Sequence, residues 1–179
     1  MTHSAAQPGL GAVQQTMNLE ELIQPESVLC NVSARSKKHC LEILSELLTR
    51  SNPDIANEEV FAALIDREKL GCTCLEKGVA FPHCRVNGLH KSVGALMRLA
   101  EPVDFDSTNG QSVDLVFGLM VPEQVDEGCL AEVNAVAELL CDDALCARLR
   151  SASSSRELWD ALMSSHVEAP AKLKRAQQG

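Results

Sequence analysis

A chain of 179 residues, 45% of them hydrophobic, is long enough to bury one sizeable core and is expected to form a single domain. Sixteen basic against twenty-five acidic residues leave a formal charge of -9, which repels a phosphate backbone and offers no counterion release, so nucleic acid is excluded as a partner. No run approaches the roughly eighteen apolar residues of a membrane-spanning helix, and the amino terminus lacks a basic and apolar export signal. Together these exclude direct membrane insertion and predict a cytoplasmic protein.

Residues 1–17, rich in Gly, Ala, Gln and Ser without a period, and residues 166–179, mostly Lys, Ala and Gln from Ala169 onward, read as mobile tails around a domain spanning 18–165. A short strand is predicted at Val28 to Val32. Ser36 then opens a helix in which Leu41, Ile43, Leu44, Leu47 and Leu48 recur at helical spacing, until Ser51-Asn52-Pro53 stops it. Asn57 is expected to cap a second helix, with Val60, Phe61, Leu64 and Ile65 on one face and an end near Gly71.

The period changes in the middle of the chain. Val79 to Phe81, Val93 to Leu99 and Val113 to Val121 are short apolar runs bounded by Gly, Asn, Asp or Pro, as expected of strands in a largely buried sheet. Helical spacing returns with Leu130, Val133, Val136, Leu139 and Leu140, followed by Leu145 and Leu149. A last helix starts at Ser154-Ser155-Arg156-Glu157, a capping box. The order predicts an α/β fold, a mixed β-sheet flanked by helices on both faces.

One of these strands carries the chemistry. In Gly78-Val79-Ala80-Phe81-Pro82-His83, an apolar strand stops at a proline, which has no amide hydrogen for a ladder, and an imidazole is left at the rim. A largely neutral imidazole keeps one ring nitrogen with a free lone pair, able to attack a phosphoryl group or to bind a metal.

The ordered set Asp66-Arg67-Glu68-Lys69-Leu70-Gly71, Thr73, Gly78 to His83, Glu101 to Phe105 and Val113 to Pro122 resembles the enzyme IIA domains of the fructose and mannitol branch of the phosphoenolpyruvate-dependent phosphotransferase system, most closely their nitrogen-regulatory members. The likeness runs from Leu19 to about Leu162. It implies that His83 accepts a phosphoryl group from a small histidine phosphocarrier protein of the HPr or NPr kind, without a cofactor, and that regulatory target proteins respond to the result. In-line transfer between two nitrogens needs an open nucleophile and donors around the equatorial oxygens. Nε2 is the expected attacking atom, with Nδ1 oriented by a backbone carbonyl. The resemblance also places an active-site arginine at Arg67, although an Arg in a last helical turn is equally served by the helix macrodipole. Thr73 belongs either to the same phosphate cradle or simply to the loop that returns the chain to the sheet.

Three features depart from that pattern: Cys74-Leu75-Glu76-Lys77 stands where relatives have a glycine-rich loop, Cys84 follows the histidine in place of a small residue, and the third lies at Cys129 and Ala131. Relatives commonly carry further histidines where this chain has Cys129 and Ala131, which raises a second reading: an interaction module with the IIA fold that works without phosphorylation. Cys72, Cys74, His83 and Cys84 are soft-ligand types, but a Cys-x-Cys pair and two strand neighbours suit a zinc tetrahedron poorly, and no metal is expected. Cys84 beside an imidazole also admits a redox role. The eight cysteines, in a chain expected to stay in the cytoplasm, read as reduced thiols, and His90 as a solvent-facing residue after the turn Asn87-Gly88.

Overall fold

The computed structural model describes residues 18–107, 110–124 and 127–164, so both expected tails lie outside the described residues. Its centre is a sheet of strands β1 (Ile23–Val32), β2 (Val79–Ala80), β3 (His83–Val86), β4 (Val93–Asp104) and β5 (Ser112–Pro122). They lie in the order β1-β4-β5-β2, with β3 continuing the line of β2 along β5. β1 runs parallel to β4, β4 antiparallel to β5, and β2 and β3 parallel to β5. The sheet is therefore mixed, as expected.

Helices cover both faces. α1 (Leu19–Leu22), α2 (Lys37–Thr49), α3 (Asn57–Lys69), α4 (Glu127–Leu140) and α5 (Asp143–Ser151) are followed by α6, residues 155–164. Alternation along the strands divides the apolar residues into two cores. Val116 and Met120 of β5 meet Leu41, Leu44 and Leu48 of α2 and Val60 and Leu64 of α3 on one face. Leu115, Phe117, Leu119 and Val121 meet Val136 and Leu140 of α4, Leu145 and Leu149 of α5, and Leu158 and Leu162 on the other. No helix among the described residues is long and apolar enough to cross a membrane.

Elements begin where local chemistry directs them, with three adjustments. Ser36 caps α2, its hydroxyl accepting from the His39 amide at 3.1 Å. The N-cap of α3 is Ala56 rather than Asn57, which is already helical, and no side chain caps that end. At α6, Ser154 Oγ accepts from the Glu157 amide at 3.1 Å, but the Glu157 carboxylate reaches Ser153 rather than Ser154, accepting from its amide at 2.8 Å. β1 starts five residues before the apolar run Val28 to Val32, because an edge strand tolerates Pro25 and exposed polar residues.

Candidate functional site

Gly78 turns the chain into β2 with φ +79°, and a Cβ there would meet Arg150 Nη2 at 3.1 Å and Asp114 Oδ1 at 3.2 Å. Those two side chains are paired: Arg150 donates to both oxygens of Asp114 (2.8–3.1 Å) and to the Lys77 carbonyl at 2.6 Å. The turn into the strand is thus pinned to α5. β2 ends at Ala80, Phe81 and Pro82 leave a gap in the ladder, and pairing resumes at His83. Proline interrupts the strand here instead of ending it. The Pro82 carbonyl still accepts from the Leu119 amide at 3.0 Å, which keeps the chain in line across the gap. His83 consequently opens β3, at an edge of the sheet.

Alternation along β3 buries Cys84 and Val86 in the core beneath α2 and α3 and leaves His83 half-buried. The imidazole lies against Phe81, ring centroids 4.8 Å apart. Its Nδ1 is 2.8 Å from the Phe81 carbonyl oxygen. A carbonyl only accepts, so Nδ1 carries the proton and the lone pair of the neutral ring lies on Nε2. Burial lowers the imidazole below the ordinary histidine value of 6.5, and the nearby Arg67 guanidinium lowers it further, against the Phe81 bond and the Glu68 carboxylate. The result is an imidazole with a fixed tautomer, its lone pair on Nε2, that resists a second proton.

Helix α3 packs against β3 and brings its last turn to the histidine. Arg67 Nη1 donates to the Gly71 carbonyl at 3.2 Å, which holds the guanidinium across the end of the helix, close enough to act on the His83 ring. Thr73 is buried and its hydroxyl donates to Glu68, so that oxygen is already engaged. Its backbone does other work: the Thr73 carbonyl accepts from the Phe81 amide at 2.9 Å. Glu68 also pairs with Lys37 at the start of α2, 2.9 Å away, with the two side chains 5% and 20% exposed. Burial works against the Lys37 charge, but the bond and attraction to Glu68 outweigh it and hold the ammonium pKa above its usual 10.5.

Glu68 and Lys37 are the contributions that sequence reasoning missed. The run Asp66-Arg67-Glu68-Lys69 looks like a solvated helix end, and only its packing on the start of α2 shows that one of its acids is buried. A cleft of about 1300 Å³ is lined in part by Lys37, Phe61, Ile65, Glu68 and Pro102, and its lining does not include His83.

The cysteines divide. Burial pushes the Cys84 thiol up to about 12, which works against a reactive thiolate beside the imidazole. Cys72 and Cys74 lie together in the loop after α3, Sγ to Sγ 2.7 Å. Among the described residues no group of three or more His, Cys, Asp or Glu side chains is arranged to hold a metal ion. Cys129 and Ala131 sit in the first turns of α4, half-buried and exposed. His90 is exposed after the turn at Gly88, as expected.

The family described as phosphoenolpyruvate-dependent sugar phosphotransferase system, EIIA 2, matches residues 21–165. The chain belongs to this family. Among EIIA relatives, the nitrogen regulatory protein of Pseudomonas aeruginosa is 38% identical over 143 residues, covering 80% of this chain and 93% of that protein. The crystal structure of nitrogen regulatory protein IIA-Ntr from Neisseria meningitidis superimposes with a TM-score of 0.71 at 33% identity, covering 80% of this chain and 98% of the other. The EIIA fold extends to IIA mannitol from Escherichia coli, TM-score 0.60 at 22% identity, covering 82% and 98% of the two chains.

Proposed function

We propose that this EIIA protein is a cytoplasmic phosphocarrier of the nitrogen-regulatory kind, in which His83 accepts a phosphoryl group from the phosphohistidine of a small histidine phosphocarrier protein. The observation that carries this reading is the 2.8 Å contact between Nδ1 and the Phe81 carbonyl, because it leaves Nε2 as the attacking atom without any further base. The Nε2 lone pair forms the new P–N bond as the donor's P–N bond breaks and its electron pair returns to the donor ring. Arg67 offsets the charge on the equatorial oxygens. Thr73 is a positioning residue, its carbonyl holding Phe81 while Phe81 holds the imidazole.

The half-buried ring supports a protein donor. A partner surface covers such a shallow site during transfer and excludes the water that competes for the phosphoryl group. The negative charge gained at the sheet edge then changes which regulatory targets dock. Incubation with phosphoenolpyruvate, enzyme I and the phosphocarrier is expected to give an acid-labile, base-stable phosphate on the wild-type protein and none on His83→Ala. Wild-type protein that stays unlabelled while a control IIA is labelled contradicts the proposal and favours a module that binds its targets without phosphorylation.

A further inference from the structure

Two thiols in the loop after α3 take no part in the phosphoryl chemistry. Cys72 and Cys74 are part-exposed, unlinked, and in direct contact at 2.7 Å through their sulfurs. We propose that they form a reversible thiol–disulfide site, closed by a low-molecular-weight disulfide, and that closure slows phosphoryl acceptance at His83. The second half rests on the reading of His83 as the acceptor; the first half does not.

The two sulfurs differ in environment. Cys72 Sγ accepts from the Cys74 amide at 3.3 Å. Burial first, and then Cys72 itself, push the Cys74 thiol up to about 12. Cys72 is therefore the attacking sulfur and Cys74 the resolving one. The Cys72 thiolate attacks one sulfur of the small disulfide, whose S–S bond breaks to release one small thiolate. Cys74 then gives up its proton and attacks the Cys72 sulfur, expelling the second small thiolate. Two protein thiols are oxidised and one disulfide is reduced to two thiols, which take up the two protons. The buried Cys40 and Cys84, each held near 12 by burial, are poor competitors for the same oxidant.

The connection to His83 runs through Thr73, the residue between the two sulfurs. Its carbonyl accepts from the Phe81 amide, and the Phe81 carbonyl accepts from His83 Nδ1. Closing the ring tightens the backbone around Thr73 and removes the contact of the Cys72 thiol with the Phe105 carbonyl at 3.4 Å. Disturbing one hydrogen bond of this kind corresponds to roughly two- to tenfold in rate.

The test uses the full chain, equilibrated with mixtures of oxidised and reduced glutathione, alkylated and digested with trypsin. Cleavage after Lys69 and Lys77 places both cysteines, and no others, on one peptide, Leu70 to Lys77. In oxidised protein that peptide is expected unalkylated and lighter by two hydrogen atoms, reverting on reduction, with no such species in Cys72→Ser or Cys74→Ser. Phosphoryl acceptance by oxidised wild type is expected to be about two- to tenfold slower, restored by reduction, with Cys72→Ser insensitive to the oxidant. A peptide that remains alkylated, or that carries only bound glutathione, overturns the proposal, as does a disulfide that leaves the rate unchanged. Reduced protein that accepts no phosphoryl group contradicts the phosphocarrier reading instead, and the peptide mass then still tests the disulfide.

Discussion

Two neighbours of different kinds set the state of the His83 ring. A carbonyl fixes where its proton sits, and burial together with a guanidinium disfavours a second proton. An NMR titration is expected to give a His83 midpoint below 6.5, and Arg67→Gln should move it upward without restoring 6.5, since burial remains the larger cause. A wild-type midpoint above 6.5 contradicts this environment. The sign for stability follows: the folded pKa lies below the unfolded one, so protonation favours the unfolded chain. The contribution of His83 is complete above 6.5 and is lost as pH falls toward the folded pKa. The place of the histidine at the sheet edge was legible in the sequence through the proline before it, whereas Arg67 stood out only through the family resemblance, since the helix end around it accounts for a charged residue equally well. Glu68 and Lys37 were not legible, because neither a 3.6-residue nor a two-residue period says which acid of a charged helix end will be covered by the start of another helix.

At the level of elements, helices were legible where one apolar stripe faces one core, as in α2, α3 and α4. Of the edge strands, the apolar part of β1 and β2 were legible, but the start of β1 and the whole of β3 were not. The first half of β1 runs through Gln24-Pro25-Glu26 and β3 begins after a proline, and both stretches escape a search for apolar runs because an edge strand is paired on one side only and keeps polar residues. Glycine 118 shows how tightly α2 sits on β5: a Cβ there would lie 2.6–2.7 Å from three carbons of Leu44. Gly118→Ala is therefore expected to cost about 1–3 kcal/mol in urea denaturation. Adding Leu44→Ala should recover part of that loss, giving a favourable coupling between the two sites. Strictly additive costs, or a neutral Gly118→Ala, contradict the packing described.

Across the whole molecule, one sheet separates two apolar cores, and each core draws residues from the same central strands β4 and β5. Neither core can open without exposing strand faces that the other depends on. Trp159, the single tryptophan, packs at the edge of the core under α4, α5 and α6, whereas far-UV circular dichroism averages over all helices. The two signals are expected to unfold at the same denaturant midpoint, and separated midpoints contradict a single cooperative unit. The same arrangement holds the edge of the sheet, with its imidazole, in place between the two cores, as the proposed transfer from a partner protein requires. The most direct measurement of that claim is a long-range proton–nitrogen correlation spectrum of His83 at neutral pH, before and after phosphoryl transfer from the phosphocarrier. The account predicts a neutral ring protonated at Nδ1, and afterwards a phosphoryl group on Nε2 with the Nδ1 proton retained. A ring protonated at Nε2, or a phosphoryl group found on Nδ1, contradicts it.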